Sequence, residues 1–123
     1  MKIYEVQGAF GLENLKPTEQ ADPDPQRLAP DHVLVKLHAV SLNYRDLVVV
    51  RGTYPAGVTP PFISVSDGTG VVTAVGPGVT RVRVGDRVIG NYLQDWLSGP
   101  ITEEVRPSSL GAARRAGGVC RAA

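Results

Sequence analysis

Between Asn43 and Pro55 the chain gathers several polar groups within one short interval: the amide of Asn43, the carboxylate of Asp46, the guanidinium of Arg51 and the phenol of Tyr54. An amide both donates and accepts hydrogen bonds, and a phenol can donate to a carbonyl oxygen. Such groups can orient a polar substrate and stabilise negative charge that develops on oxygen. Each also has a plainer reading. Asn43 is a good helix N-cap and forms a variant capping box with Asp46 three residues on, a role compatible with a place in a site. Tyr54 would equally serve as a rim aromatic packed on Pro55. Arg51 is either a phosphate contact or a solvated cation at a helix C-terminus. Asp46 is either a structural carboxylate or a general base.

These residues need elements to hold them. Asn43 to Arg51 predicts a short helix, with Gly52 as its stop, although Val48-Val49-Val50 is a poor helix-forming run. Asp31 to Ser41 predicts a strand, with Val33, Val35, Leu37 and Ala39 on one face. Lys2 to Val6 suits a first strand. The four prolines of residues 17–31 read as an exposed connection, Tyr54 to Pro61 as a loop, and Phe62 to Val65 as a short strand. From Ser66 to Gly90 the chain reads SDGTGVVTAVGPGVTRVRVGDRVIG. Apolar alternation at Val71 to Val75, a break at Gly76-Pro77-Gly78, a second alternating run at Arg81 to Val84 and a reversal at Gly85-Asp86 predict consecutive antiparallel hairpins. Antiparallel hairpins of this kind can curl into a small barrel. The glycines Gly68, Gly70 and Gly76 mimic part of a nucleotide-binding pattern, but no helix is predicted after them, so they read as hairpin glycines.

The 123 residues fit one domain able to bury a core, and 42% apolar content excludes wholesale disorder. A formal net charge of +1 gives no reason to expect a nucleic acid or membrane partner. The one cysteine, Cys120, can form no internal disulfide and no zinc site by itself. There is no apolar leader at the N-terminus, and the expected compartment is the cytoplasm. Residues 1–110 carry a net charge of −2, whereas residues 111–123 hold three arginines, no acid and no strand alternation. The expected organisation is a domain over residues 1–110 followed by a disordered or out-of-frame tail over 111–123.

Two blocks, VLVKLHAVSLNYRDLVVVRGTYP at 33–55 and DGTGVVTAVGPGVTRVRVGDRV at 67–88, in that order, resemble the N-terminal GroES-like catalytic domain of the medium-chain dehydrogenase/reductase superfamily, the alcohol dehydrogenases and quinone oxidoreductases. The resemblance covers about residues 1–105. It implies a mainly β fold, a GroES-like partly open β-barrel with short helices, here incomplete. Zinc-dependent members have a cysteine at Asn43, a histidine at Ser66 and a glutamate at Asp67. Neither Asn43 nor Ser66 is a customary zinc ligand, and Asn91 to Pro100 contains no cysteine for a structural metal lobe. No zinc is therefore expected. Asn43-Tyr44-Arg45-Asp46 followed by Arg51-Gly52-Thr53-Tyr54-Pro55 resembles the zinc-free quinone oxidoreductase branch.

That resemblance implies catalytic roles for Asn43 and Tyr54, and a cofactor-binding surface at Asn43, Tyr44, Asp46 and Arg51. The cofactor implied is NADP(H) or NAD(H). The substrate class is a small molecule: a quinone, an enone, or an aldehyde or alcohol. No strand–GxGxxG–helix unit is apparent, so this chain is expected to hold no dinucleotide tightly and to be inactive by itself. A truncated gene or a frame change near Gly111 would explain the abrupt change of composition. Open strand edges imply homo-oligomers or aggregation. The alternative function is a non-enzymatic GroES-like barrel, an interaction module or the product of a decaying gene.

Overall fold

The computed structural model describes residues 1–55, 57–111 and 119–121. Six strands and one α-helix build it: β1 (Lys2–Val6), β2 (Leu15–Glu19), β3 (His32–Ser41), α1 (Tyr44–Val50), β4 (Asp67–Val75), β5 (Arg87–Ile89) and β6 (Val119–Arg121). Strands β1 and β2 form an antiparallel pair, and the other four form a sheet in the order β5-β4-β3-β6. The two sheets do not close into a barrel. The architecture is mainly β with few helices, as expected of an incomplete domain of this kind.

The first sheet corrects the expectation of an exposed connection from residue 17. Pro17 lies inside β2, opposite Tyr4. Proline cannot donate to a ladder, but on a two-stranded ribbon its nitrogen can face away from the partner, so the strand survives it. Phe62 to Val65 is corrected in the opposite sense. Only Phe62 bridges, to Val6, with backbone N–H···O distances of 2.9 and 3.3 Å. Pro60 and Pro61 precede it and supply no donors with which to lengthen the ladder.

Strand β3 runs as the alternation predicts, but its register against β4 slips between Leu34 and Val35 and again between Leu37 and Ala39. Each slip is bulge-like, so the single face expected for Val33 to Ala39 is interrupted. Gly70 sits where β3 and β4 approach most closely. A Cβ there would be driven into the Lys36 carbonyl oxygen and would stand 2.9 Å from Leu37 Cα. The glycines of the 68–70 run therefore serve the sheet, and among the described residues no α-helix follows them.

The second alternating run, Arg81 to Val84, is not a strand. Gly85 takes a φ of 96°, and Asp86 folds its carboxylate back to accept the Arg83 N–H at 3.0 Å. This local turn competes with the ladder, leaving Val84 exposed and confining pairing to β5. Of the expected tail, Val119–Arg121 pair with His32–Leu34, and residues 112–118 and 122–123 lie outside those described.

The core lies between the β1 end and α1. Val6, Val49, Val50 and Phe62 are buried together, with Phe10, Leu15, Tyr54 and Val58 packed around them. Burial of Val49 and Val50 offsets the poor helix propensity of the valine run, since tertiary packing supplies most of a short helix's stability. Among the described residues no helix is long and apolar enough to cross a membrane.

Candidate functional site

Helix α1 directs two clusters of polar side chains from its first turn. Asn43 caps the helix in an extended conformation, and a capping box links it to Asp46. The Asn43 N–H donates to Asp46 Oδ2 at 2.7 Å. Asp46 is only 6% exposed, and its Oδ1 is sealed from solvent without a hydrogen-bond partner. Its carboxylate is thus committed to the helix start, which favours the structural reading of this residue over a role at a cofactor.

The Asn43 side chain also reaches the start of β4. Its Nδ2 donates to Asp67 Oδ2 at 2.6 Å, and the hydroxyl of Ser66, 3% exposed, donates to the same oxygen at 3.2 Å. The three positions at which zinc-dependent relatives of the resemblance carry ligands are therefore adjacent here. They form a hydrogen-bonded amide–carboxylate–hydroxyl set. A zinc ion prefers thiolate, imidazole and carboxylate donors, and this set offers one anionic donor with one of its oxygens already accepting two hydrogen bonds. The donor chemistry does not fit the metal.

The second cluster was not legible in the sequence. Arg45, one residue from Tyr44, turns toward the loop that follows α1. Its guanidinium carbon stands 4.6 Å from the Tyr54 ring centroid and 4.8 Å from that of Tyr92. The two phenol oxygens are 2.9 Å apart. Nη2 of Arg45 donates to Ser109 Oγ at 3.4 Å, while Nε and Nη1 are sealed from solvent without hydrogen bonds. The aromatic faces partly compensate for the lost hydration, since ring quadrupoles attract a cation. Tyr92 carries no signal in the sequence, because it lies in an irregular segment 38 residues from Tyr54.

The two phenols differ electrostatically. Burial pushes the Tyr54 phenol up, but the hydrogen bond with Tyr92 and the Arg45 guanidinium outweigh it, so Tyr54 is held below its ordinary value. Burial and the hydrogen bond with Tyr54 push Tyr92 above its ordinary value, and Arg45 offsets this only in part. Tyr54 is the phenol that more readily becomes an anion.

Both tyrosines line a cleft of about 420 Å³ whose walls include Pro55, Leu93 and Ile101 and whose rim carries Glu103 and Arg106. Those two rim residues pair at 3.0 Å. An open, partly apolar cleft bearing two phenols suits a small molecule with an oxygen acceptor. Of the residues anticipated, Tyr54 enters this cleft. Asn43 lies in the Asp67 cluster. Tyr44 is 78% exposed, and Arg51 is exposed at the helix end. Among the described residues no group of three or more His, Cys, Asp or Glu could hold a metal ion.

The family model of the alcohol dehydrogenase GroES-like domain matches residues 29–121. A zinc-type alcohol dehydrogenase-like protein of Schizosaccharomyces pombe is 42% identical over 104 residues, which is 85% of this chain and 30% of that protein. A solved structure of a quinone oxidoreductase of Escherichia coli complexed with NADPH superposes with a TM-score of 0.60 and 29% identity, covering 73% of this chain and 26% of that one. A putative alcohol dehydrogenase from Sinorhizobium meliloti gives a TM-score of 0.68 and 33% identity over 99% of this chain and 36% of that one. The chain thus spans about a third or less of the length of these relatives.

Proposed function

This chain belongs to the family of alcohol dehydrogenase GroES-like domains, within the medium-chain dehydrogenase/reductase superfamily, and from that premise we propose that it is the substrate-side part of a zinc-independent NAD(P)H-dependent oxidoreductase. The observation that carries the reading is the Asn43–Asp67–Ser66 set, a hydrogen-bonded group standing where a catalytic metal would otherwise be held. The name of the S. pombe relative is of zinc type, so the reading places this chain's chemistry apart from that relative's name.

A reduced nicotinamide would supply hydride when bound. The Asn43 amide, with Tyr44 in the first turn of α1 and Arg51 at its C-cap, would face it, and the chain's task is to orient the acceptor and meet the charge on its oxygen. The cleft favours a small quinone, enone or aldehyde. Its walls include Pro55, Leu93 and Ile101, which lower the polarity around any hydrogen bond formed within it. No strand–glycine turn–helix unit occurs among the described residues, so the dinucleotide phosphates would be gripped by other elements. The 123-residue chain by itself then turns over no NADPH.

The test has two parts. Metal analysis of the purified chain should find far less than one zinc per molecule; stoichiometric, tightly held zinc would overturn the zinc-independent reading. Grafted in place of the matching segment of the E. coli quinone oxidoreductase, the chain should sustain NADPH-dependent quinone reduction without added metal. A folded graft that binds NADPH yet reduces no quinone, enone or aldehyde would overturn the oxidoreductase reading. Sustained NADPH oxidation by the 123 residues alone would refute the inactivity.

A further inference from the structure

We propose that the cleft is built for an acidic substrate, a quinone, enone or aldehyde that also carries a carboxylate, and that Arg106 is the residue that selects it. The inference deepens the oxidoreductase reading and rests on it for the reaction, while the binding preference stands on the cleft alone.

The charges around the cleft carry it. Pro55, Leu93, Ile101 and Pro107 supply apolar wall, and Tyr54 and Tyr92 supply the phenols. Behind the phenols lies the Arg45 guanidinium, 4.6 and 4.8 Å from the two ring centroids. Its Nε and Nη1 are sealed from solvent without a hydrogen-bond partner, and among the described residues it forms no ion pair. A cation withdrawn from water is ordinarily matched by a carboxylate. Here the protein offers it two ring faces and the Ser109 hydroxyl.

A second guanidinium, that of Arg106, stands at the rim. Its charge and that of Arg45 both bear on the Tyr54 phenol, so the two cations flank one cleft. Against them, Glu103 is the one acid among the residues that line it. Glu104, next in the chain, is exposed, and its carboxylate accepts from Thr102. The cleft is therefore left with one positive charge in excess.

The rim pair is open to competition. Glu103 approaches Arg106 Nε at 3.0 Å, but the side chains are 86% and 62% exposed. Water screens such a pair, so a carboxylate on the substrate can share or take the guanidinium at little cost. The planar group engages a carboxylate through paired N–H donors, a geometry that a lysine does not reproduce. With the reacting carbonyl toward the phenols, the substrate's carboxylate lies toward the rim, where Arg106 meets it. A neutral quinone would leave the excess charge uncompensated.

The test uses the 123-residue chain and two probes of nearly equal size, benzoate and benzamide, titrated at neutral pH and low salt by ligand-observed NMR. Benzoate should bind more tightly by about tenfold, the lower end of what a hydrogen bond to a charged group contributes, because the rim is exposed. Added salt should shrink that preference. Arg106→Gln should remove most of it while leaving benzamide binding unchanged. Glu103→Gln, which removes the competing carboxylate, should strengthen benzoate binding. Arg106→Lys keeps the charge without the paired donors and should retain only part of the preference.

Circular dichroism identifies any variant that fails to fold, and if Arg106→Gln does so, Arg106→Lys decides. Equal binding of the two probes, no saturable binding of benzoate, or a preference that survives intact in Arg106→Gln or Arg106→Lys overturns the proposal. If the proposal falls in this way while the graft reduces a neutral quinone, the oxidoreductase reading stands without it. If the probes behave as expected while the graft reduces no quinone, enone or aldehyde, the oxidoreductase reading falls and the cleft remains a carboxylate-binding site.

Discussion

Replacing Asn43 by aspartate converts the central hydrogen bond of the Asn43–Asp67–Ser66 set into a repulsive pair. In the native chain Asn43 Nδ2 donates to Asp67 Oδ2 at 2.6 Å. A hydrogen bond to an ionised acceptor contributes about 1.5–3 kcal/mol. Asn43 is exposed and Asp67 half-buried, so solvent screening places this one near 1 kcal/mol. Two carboxylates relaxing to about 4 Å would then repel by about 1 kcal/mol in water-like surroundings and about 4 kcal/mol at an effective dielectric near 20.

The position between these limits gives a total loss of about 2–3 kcal/mol. For a chain of this size each kcal/mol moves the melting midpoint by about 3–6 °C, so N43D should melt roughly 6–18 °C lower at neutral pH. N43D/D67N reverses donor and acceptor and should recover more than half of the loss, a coupling that a double-mutant cycle measures. Thermal melts followed by circular dichroism at neutral pH provide the assay. If N43D melts within about 2 °C of wild type, or if the double variant is no better than N43D, the two side chains are not in the contact described.

Four further outcomes follow from the structure. N43C/S66H, which with Asp67 supplies thiolate, imidazole and carboxylate, should acquire a cobalt(II) absorption spectrum that the wild-type chain lacks; an equal spectrum from wild type would contradict the zinc-independent reading. Asp46→Ala should cost about 2 kcal/mol, read by urea denaturation, because it strips a buried charge-assisted bond from the helix start; a loss under about 0.5 kcal/mol would show that the capping box is dispensable. Gly70→Ala should cost more than about 3 kcal/mol or prevent folding, since its Cβ meets β3 backbone that cannot rotate away. Gly85→Ala, strained only by its φ of 96° and meeting nothing nearby, should cost about 1–2 kcal/mol in the same assay.

Local chemistry determined much of this protein from the sequence alone. Apolar alternation marks β1, β3 and β4 because a strand's side chains alternate faces whatever lies beyond it. The Asn43 and Asp46 spacing marks the start of α1 because a capping box closes within one turn. The family was legible because the blocks at 33–55 and 67–88, in that order, resemble those of its members. Where local signals competed, tertiary contact decided one case and a side-chain turn the other. Pro17 read as a breaker, yet it sits in a ribbon that does not need its missing N–H. Arg81 to Val84 read as a strand, yet the Asp86 side chain captures the Arg83 amide and turns the chain away.

The site divides in the same way. Asn43 and Tyr54 could be named from residue type within one stretch of chain, but what each touches could not. Asn43 meets Asp67 across 24 positions, and Tyr54 meets Tyr92 across 38. Arg45 carries no periodic or motif signal of a site; its importance comes from being enclosed between two rings that only the fold brings together. Residue type and short-range spacing dictate what chemistry is available, because they act within a turn or a strand. Which groups share an oxygen, a proton or a charge depends on distant segments meeting, and that is settled only when the chain has packed.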